Sequence, residues 1–429
     1  MSRYRLFVDP ERRLPNFHNS YLTRDELPAG TTQEVIGITA SDGAASVGVL
    51  HRPAGGSRLC AMYMHPRTNQ TRPYLAPALL NSGIAVWGQM SRYVNNDIDM
   101  THEEVLLDYA AGMRWLRAQG FETIVAIGNS GGSSLAAYYQ SQASQEPSKR
   151  QKLSPAGELT GFEQEEMPPF DLYVALALHL GEGTVLLRGL DPAVIDEHDP
   201  VATDPALDMY DRRNGYRDLP EESAYDPQWL AAYRKAQIER CRHLDKVAQS
   251  VLADYHEARQ AADPQRLDSP LARRAMYARL MVVHRTWANP ADLDLSIEPN
   301  RRPIGIIGGE HPIRANLGLH GLARVLTPRA WLSTWSGLSS KAELLETIRE
   351  VRVPTLLLWP DGDIATPEGD AKAVLEAAGA ESKTLHVVEW STHYLTPTPG
   401  MPKDLASPKQ RAGEAAVQWI QSQLGLARR

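Results

Sequence analysis

Apolar segments with strand character alternate with helix-like segments through the first third of the chain. The strand-like segments are RLCAMYMH (58–65), GIAVWGQM (83–90) and ETIVAIG (122–128), with helix-like stretches near 71–81 and 103–119 between them. Upstream, segments 33–40 and 45–53 flank a Ser-Asp-Gly turn signal, which predicts an antiparallel hairpin. This alternation predicts an α/β fold with a mostly parallel central sheet and helices on both faces.

A long middle block interrupts this alternation. After the strand-like DLYVALALH (171–179), the chain carries acidic loops punctuated by proline and a long helix-like stretch near 227–262. The strand-and-helix pattern resumes with VPTLLLWP (353–360) and TLHVVEW (384–390), and a terminal helix follows. We therefore predict one core domain made of 1–180 and 351–429, with a large, mainly helical cap or lid inserted at 181–350.

Composition limits the classes of partner. The 429 residues are 42% apolar and 23% charged, close to soluble globular averages. The net charge of -7 and the lack of a long Lys/Arg run argue against nucleic acid as a partner. The two cysteines, Cys60 and Cys241, form no disulfide framework and no metal-ligand spacing, so we expect free thiols in a reducing compartment.

Neither the N-terminus nor a later segment has the sequence pattern of a targeting signal. MSRYRLFVDPERRLP carries charges where a secretory signal needs an apolar core, and no window offers about 18 consecutive apolar residues. We therefore expect a cytoplasmic protein that does not contact a membrane. The expected partner is a small-molecule substrate, and a homo-oligomer is left open.

The strongest local motif is Gly128-Asn129-Ser130-Gly131-Gly132, a G-x-S-x-G pattern. It directly follows the strand-like ETIVAI and directly precedes the helix-like SSLAAYYQ. A serine on such a sharp strand-to-helix turn is held clear of the sheet, and glycines allow the strained backbone and close packing. The helix N-terminus favours developing negative charge. The motif predicts Ser130 as a nucleophile.

A serine hydroxyl is a poor nucleophile at neutral pH, so it requires a base and a carboxylate that orients the base. Asp363 follows the strand-like VPTLLLWP, and His393 follows TLHVVEW. Both residues therefore come in loops after late strands, in the order serine, acid, histidine. Asp361 is a rival for the acid, because it lies two residues before Asp363 in the same loop.

These segments resemble the α/β-hydrolase superfamily, whose triad runs serine, acid, histidine along the chain. The similarity covers roughly 33–179 and 351–425 and leaves out the middle block. It implies Ser130 as nucleophile, His393 as general base and Asp363 as the orienting acid. The spacing of Asp363 to Pro367 fits the D-x-x-x-P pattern of the superfamily and favours it over Asp361.

Ester hydrolysis also needs hydrogen-bond donors aimed at the oxyanion of the tetrahedral intermediate. The backbone N–H of Gly131, the residue after the nucleophile, is the first candidate. In the superfamily the second donor comes from the loop after the third strand, often H-G-x. Here that loop reads His65-Pro66-Arg67, and proline has no N–H. We therefore predict the N–H of Arg67 as the second donor.

The sequence thus predicts a serine hydrolase that cleaves a carboxylic ester or lactone of a medium-sized, partly apolar substrate, with no metal and no organic cofactor. The G-N-S-G-G elbow also resembles the G-N-S-M-G of hydrolases that cleave carbon-carbon bonds in ring-fission products. An amidase or thioesterase would use the same triad, and a non-catalytic binding module is the alternative from another class. Trp331 and Trp335 either roof an apolar pocket or belong to the cap core.

Overall fold

The computed structural model describes residues 25–307, 311–318 and 321–426. Within these residues the chain forms an eight-stranded sheet and two short two-stranded ribbons. The strands are β1 Thr32–Thr39, β2 Ala45–Arg52, β3 Leu59–His65, β4 Ala85–Met90, β5 Thr123–Asn129, β6 Leu172–Leu176, β7 Val194–Asp196, β8 Asp199–Thr203, β9 Met281–Val282, β10 Val325–Leu326, β11 Thr355–Pro360 and β12 Lys383–Val388.

The large sheet has the strand order β1-β2-β4-β3-β5-β6-β11-β12. The first two neighbouring pairs, β1 with β2 and β2 with β4, are antiparallel. Every later pair in the sheet is parallel. The predicted hairpin and the predicted fold class, a mostly parallel sheet with helices, are confirmed. Because β5, β6, β11 and β12 run in the same direction, their carboxyl ends meet at one edge of the sheet.

Helices cover both faces of this sheet. The helices are α1 Ala76–Asn81, α2 His102–Ala118, α3 Gly131–Ala143, α4 Glu182–Gly189, α5 Pro227–Ala261, α6 Pro270–Met276, α7 Pro312–Leu317, α8 Pro328–Ala330, α9 Leu344–Thr347, α10 Glu368–Ala377 and α11 Pro408–Gln423. Short 3₁₀ turns occupy Pro147–Lys149, Arg212–Asn214, Pro290–Asp292 and Ile348–Glu350.

Side chains of successive strand residues point to opposite faces, and β3 shows how this builds two cores. Cys60 and Met62 pack into the apolar cluster that contains α2, α3 and α10. Ala61 and Tyr63 pack into the cluster that contains α1 and α11. Both faces of the strand are buried, which explains why it reads as a continuous apolar run rather than an alternating one.

The chain leaves the sheet between β6 and β11. In this stretch the 35-residue helix α5 packs against α4, α6 and α8, and a small separate apolar cluster forms around Tyr216, Tyr225 and Tyr233. The stretch coincides with the block interpreted as a cap, and the division into two domains stays a prediction. No helix in the described ranges has both the length and the apolarity needed to cross a membrane.

The two tryptophans of the middle block lie in a five-residue π-helical turn, Trp331–Trp335. Both side chains are fully buried and belong to the larger apolar cluster. The indole N–H of Trp331 donates a hydrogen bond to Asp245 Oδ1 of α5 at 2.7 Å. Of the two alternatives, a roof over an apolar pocket or a place in the core, their positions favour the core, because their rings pack between α5 and the rest of the molecule.

Candidate active site

The turn between β5 and α3 places Ser130 at the carboxyl edge of the sheet. Ser130 has φ 55° and ψ -126°, in the left-handed half of φ space that non-glycine residues rarely occupy. The turn is closely packed: a Cβ on Gly132 would lie 2.6 Å from the carbonyl oxygen of Met64 in β3. Only glycine leaves room for that approach, so the flanking glycines of the motif have a steric cause.

Ser130, His393 and Asp363 form one hydrogen-bonded chain. His393 Nε2 lies 2.9 Å from Ser130 Oγ. His393 Nδ1 lies 2.8 Å from Asp363 Oδ2 and 3.0 Å from Oδ1. The three residues are 4%, 2% and 1% exposed, respectively. The structure thus brings together the three residues singled out as nucleophile, base and acid, although 263 positions separate the serine from the histidine.

The two candidate acids in the loop after β11 have different partners. Asp363 faces His393, whereas Asp361 Oδ2 forms an ion pair with Arg301 Nε at 2.7 Å. Asp361 Oδ1 also accepts a hydrogen bond from the backbone N–H of Ser391 at 3.2 Å. Asp361 therefore ties the loops after β11 and β12 together, and Asp363 is the carboxylate that contacts the histidine.

These positions follow from the sheet order. Ser130 comes directly after β5, Asp363 comes after β11 and His393 comes after β12, and these strands are parallel members of one sheet. The chain has the α/β-hydrolase fold. In this fold a nucleophile on the turn after a central strand meets an acid and a histidine from later loops, because the carboxyl ends of all three strands share one edge.

Comparisons with known proteins found distant structural similarities. No protein-family model matches the chain, and no curated protein matches it. Among solved structures, the esterase domain of a Rhodothermus marinus protein is 12% identical, with TM-score 0.42, covering 91% of this chain and 98% of that one. Est1E from Butyrivibrio proteoclasticus is 10% identical, with TM-score 0.44 and coverages of 91% and 99%. The Pyrococcus furiosus esterase Pf2001 is 12% identical, with TM-score 0.44 and coverages of 94% and 97%.

The loop after β3 differs from the predicted oxyanion arrangement. Gly131 is the first residue of α3, so its N–H lies at the helix N-terminus beside Ser130. The N–H of Arg67, the predicted second donor, instead donates to His65 Nδ1 at 3.1 Å. The guanidinium of Arg67 is held by Asp97, with Nε 2.9 Å from Oδ1. The prediction for Arg67 is therefore not supported, because its N–H already has an acceptor inside its own loop.

His65 lies in the wall of the site with its ring orientation fixed by the backbone. Its Nδ1 accepts from the N–H groups of Arg67 and of Thr68, the latter at 3.2 Å. His65 as a whole is 2% exposed. Burial holds the pKa of His65 well below its usual value, and the nearby His179 and Arg67 lower it further. The ring is therefore neutral at physiological pH.

Glu182, the first residue of α4, is a member of the site that the sequence did not reveal. The residue is 3% exposed and lines the same cavity as Ser130. Its Oε1 has no hydrogen-bond partner in the part of the chain that the structure describes, and it lies 3.9 Å from His65 Nε2. Burial raises the pKa of Glu182 to about 7. No local motif marks this glutamate, because it lies near the turn that carries Ser130 only through the pairing of β6 with β5 in the sheet.

Ser130, His393 and Asp363 border a cavity of about 520 Å³ between the sheet edge and the middle block. Its walls combine apolar side chains such as Leu187 and Trp287 with the charged Arg234, Asp292 and Arg302. Burial raises the pKa of Asp292 to about 7, against the opposing effect of the two guanidinium groups. The cavity therefore offers both apolar contact and buried charge to a ligand of moderate size.

Proposed function

We propose that this protein is a serine hydrolase that cleaves a carboxylic ester or lactone through an acyl-enzyme on Ser130. The observation that carries the proposal is the continuous chain of hydrogen bonds from Ser130 Oγ through His393 to Asp363, at 2.9 Å and 2.8 Å. A serine acquires nucleophilic strength when a positioned base accepts its proton, and a buried carboxylate holds that base in the required tautomer and orientation.

The reaction follows from these positions. His393 Nε2 removes the proton from Ser130 Oγ as the oxygen attacks the ester carbonyl, and Asp363 stabilises the imidazolium that forms. The N–H of Gly131 donates to the oxyanion of the tetrahedral intermediate. His393 then passes its proton to the leaving alcohol. Water, activated by the same histidine, attacks the acyl-enzyme, releases the acid and restores Ser130.

The cavity supports a substrate of moderate size. Its volume of about 520 Å³ lies within the range of small-molecule sites. The triad residues are 4% exposed or less, so a substrate must enter the cavity rather than rest on the surface. Because charged groups share the wall with apolar ones, we expect a substrate with an apolar acyl or alcohol part and at least one further polar group.

The test is hydrolysis of a chain-length series of p-nitrophenyl esters, with lactones, thioesters and anilides beside them. We compare the wild type with Ser130→Ala and with Ser141→Ala. Ser141 is a matched control, because its hydroxyl is also buried on α3 but donates to the carbonyl oxygen of Tyr138. We expect Ser130→Ala to lose activity by orders of magnitude and Ser141→Ala to retain it.

Labelling with a fluorophosphonate separates catalysis from a binding role. A folded wild type that is labelled at Ser130 has an activated nucleophile. A folded wild type that neither hydrolyses any member of the panel nor becomes labelled contradicts the proposal and favours a binding module. If thioesters or anilides are cleaved faster than esters, the triad chemistry stands and the substrate class is corrected.

A further inference from the structure

The oxyanion of an acyl-transfer intermediate needs preorganised donors that converge on one point. Gly131 supplies one N–H. In the loop after β3, Pro66 has no N–H, and the N–H of Arg67 points to His65 Nδ1. The backbone of this loop therefore leaves the second donor to be supplied by a side chain.

The hydrogen bonds of His65 fix its tautomer. A ring nitrogen that accepts a hydrogen bond carries no proton, and Nδ1 accepts from two backbone N–H groups, at 3.1 Å and 3.2 Å. A neutral imidazole carries a proton on only one of its two nitrogens, so in His65 that proton is on Nε2. The ring is held neutral by burial and by neighbouring positive charge, as its lowered pKa indicates.

The Nε2 atom of His65 lies beside Gly131. It is 3.1 Å from the position that a Cβ on Gly131 would occupy. His65 and Ser130 line the same cavity. The side-chain N–H of His65 is thus next to the residue that supplies the backbone N–H, in the wall of the cavity that contains Ser130.

We propose that His65 is a catalytic residue whose Nε2–H is the second oxyanion donor. This inference rests on the hydrolase function proposed above. The two N–H groups of the loop after β3 do not bind the oxyanion directly. They hold the imidazole so that its one proton faces the elbow, and the side chain replaces the backbone donor that Pro66 removes.

The ionisation state of Glu182 affects how well an oxyanion can be stabilised next to His65. Its Oε1 lies 3.9 Å from His65 Nε2, too far for a hydrogen bond, and 2.4 Å from the position of a Cβ on Gly131. An ionised carboxylate here would repel an oxyanion. Burial favours the neutral carboxyl, while Arg67 favours the ionised form and Asp97 opposes it.

Two substitutions separate the donor role of His65 from a structural one. In His65→Asn, the amide oxygen takes the place of Nδ1 as acceptor for the two N–H groups, and the Nε2–H is lost. In His65→Gln, the terminal NH₂ takes the place of Nε2–H, and the acceptor near the backbone is lost. The two variants therefore each keep one half of the function of the imidazole.

The measurement is the rate of fluorophosphonate labelling at Ser130, with kcat and KM on the best ester of the panel. We expect His65→Asn to be slowed about 10²–10³-fold with little change in KM, and His65→Gln to retain clearly more activity. If His65 only pins the loop, the order is reversed. A His65→Asn rate close to that of the wild type overturns the proposal and leaves the hydrolase function in place. Absence of labelling of the wild type overturns both.

A measurement on the wild type covers the case in which a variant does not fold. With ¹⁵N-labelled histidine, the Nε2–H resonance of His65 is followed while a trifluoromethyl ketone forms a hemiketal on Ser130. We expect the chemical shift of this proton to move downfield as the N–H group donates to the oxyanion. Hemiketal formation without any change in that resonance refutes the proposed donor.

Discussion

Gly128 is the position at which one added methyl group tests the packing of the turn between β5 and α3, which carries Ser130. It lies at the end of β5, two residues before Ser130. A Cβ at Gly128 would lie 2.5 Å from the carbonyl oxygen of Gly132 and 2.5 Å from Cα of Ser133. Both are backbone atoms of α3, so no side-chain rotation relieves the clash. In Gly128→Ala the first turn of the helix must move away from the strand.

The size of the movement follows from these distances. Restoring an ordinary contact of about 3.4 Å from 2.5 Å requires a displacement of about 0.9 Å. The hydrogen bond from Ser130 Oγ to His393 Nε2 is 2.9 Å long, and a shift of that size breaks it in most directions. A misplacement of about 1 Å costs about 10²-fold in rate. Overpacking of this kind also costs about 1–3 kcal/mol of folding free energy.

The assay compares kcat/KM and the fluorophosphonate labelling rate of Gly128→Ala with those of the wild type. Gly37→Ala in β1 is the matched control, because a Cβ there meets no atom within 4 Å. We expect a loss of about 10²-fold for Gly128→Ala and no loss for the control. If a folded Gly128→Ala protein keeps the wild-type rate, the tight strand-to-helix contact does not position the serine, and the reasoning fails.

Three further predictions concern the acid, the pH profile and the fold. Asp363→Asn should lower kcat by about 10⁴-fold, whereas Asp361→Asn should stay within about tenfold, as steady-state kinetics on one ester will show. Because burial raises the pKa of Glu182 to about 7, its carboxyl ionises as pH rises through 7. We therefore expect kcat to fall above pH 7 in the wild type and to fall less in Glu182→Gln, and identical pH profiles would contradict this. Asp191→Ala leaves the buried Arg285, whose Nη2 lies 2.8 Å from Asp191 Oδ2, without its carboxylate. Urea unfolding should show that the free energy of unfolding falls by about 3–5 kcal/mol, and an unchanged midpoint would refute the role of this ion pair.

Local sequence was sufficient to locate the strands of the large sheet and the turn that carries Ser130. The central strands β3–β6 and β11 could be predicted because both of their faces are buried, which yields apolar runs bounded by turn residues. The turn could be predicted because its backbone conformation requires glycines around Ser130. Asp363 and His393 could be singled out because they follow the two late strands in the order serine, acid, histidine, and the D-x-x-x-P spacing favoured Asp363 over Asp361.

What the sequence did not predict depends on directions in space. The N–H of Arg67 looked available because Pro66 removes the other donor, but the orientation of the His65 ring decides where that N–H points. The proximity of Glu182 to the elbow depends on β6 lying next to β5 in the sheet. The types of residue in a loop reveal neither the orientation of a side chain nor which strands are neighbours in the sheet.

The position of the insertion has a consequence for how the protein is made. The strand β6 pairs with β5 on one side and with β11 on the other, yet Leu176 and Thr355 are separated by the whole middle block. At about 5–20 residues per second, a ribosome needs about 10–35 s to synthesise that block. During this time the apolar strand LYVAL has one unpaired edge, which is a template for association with other chains. Early contact between the emerging middle block and this edge, or a chaperone that covers it, is therefore expected to determine how much active protein a cell obtains.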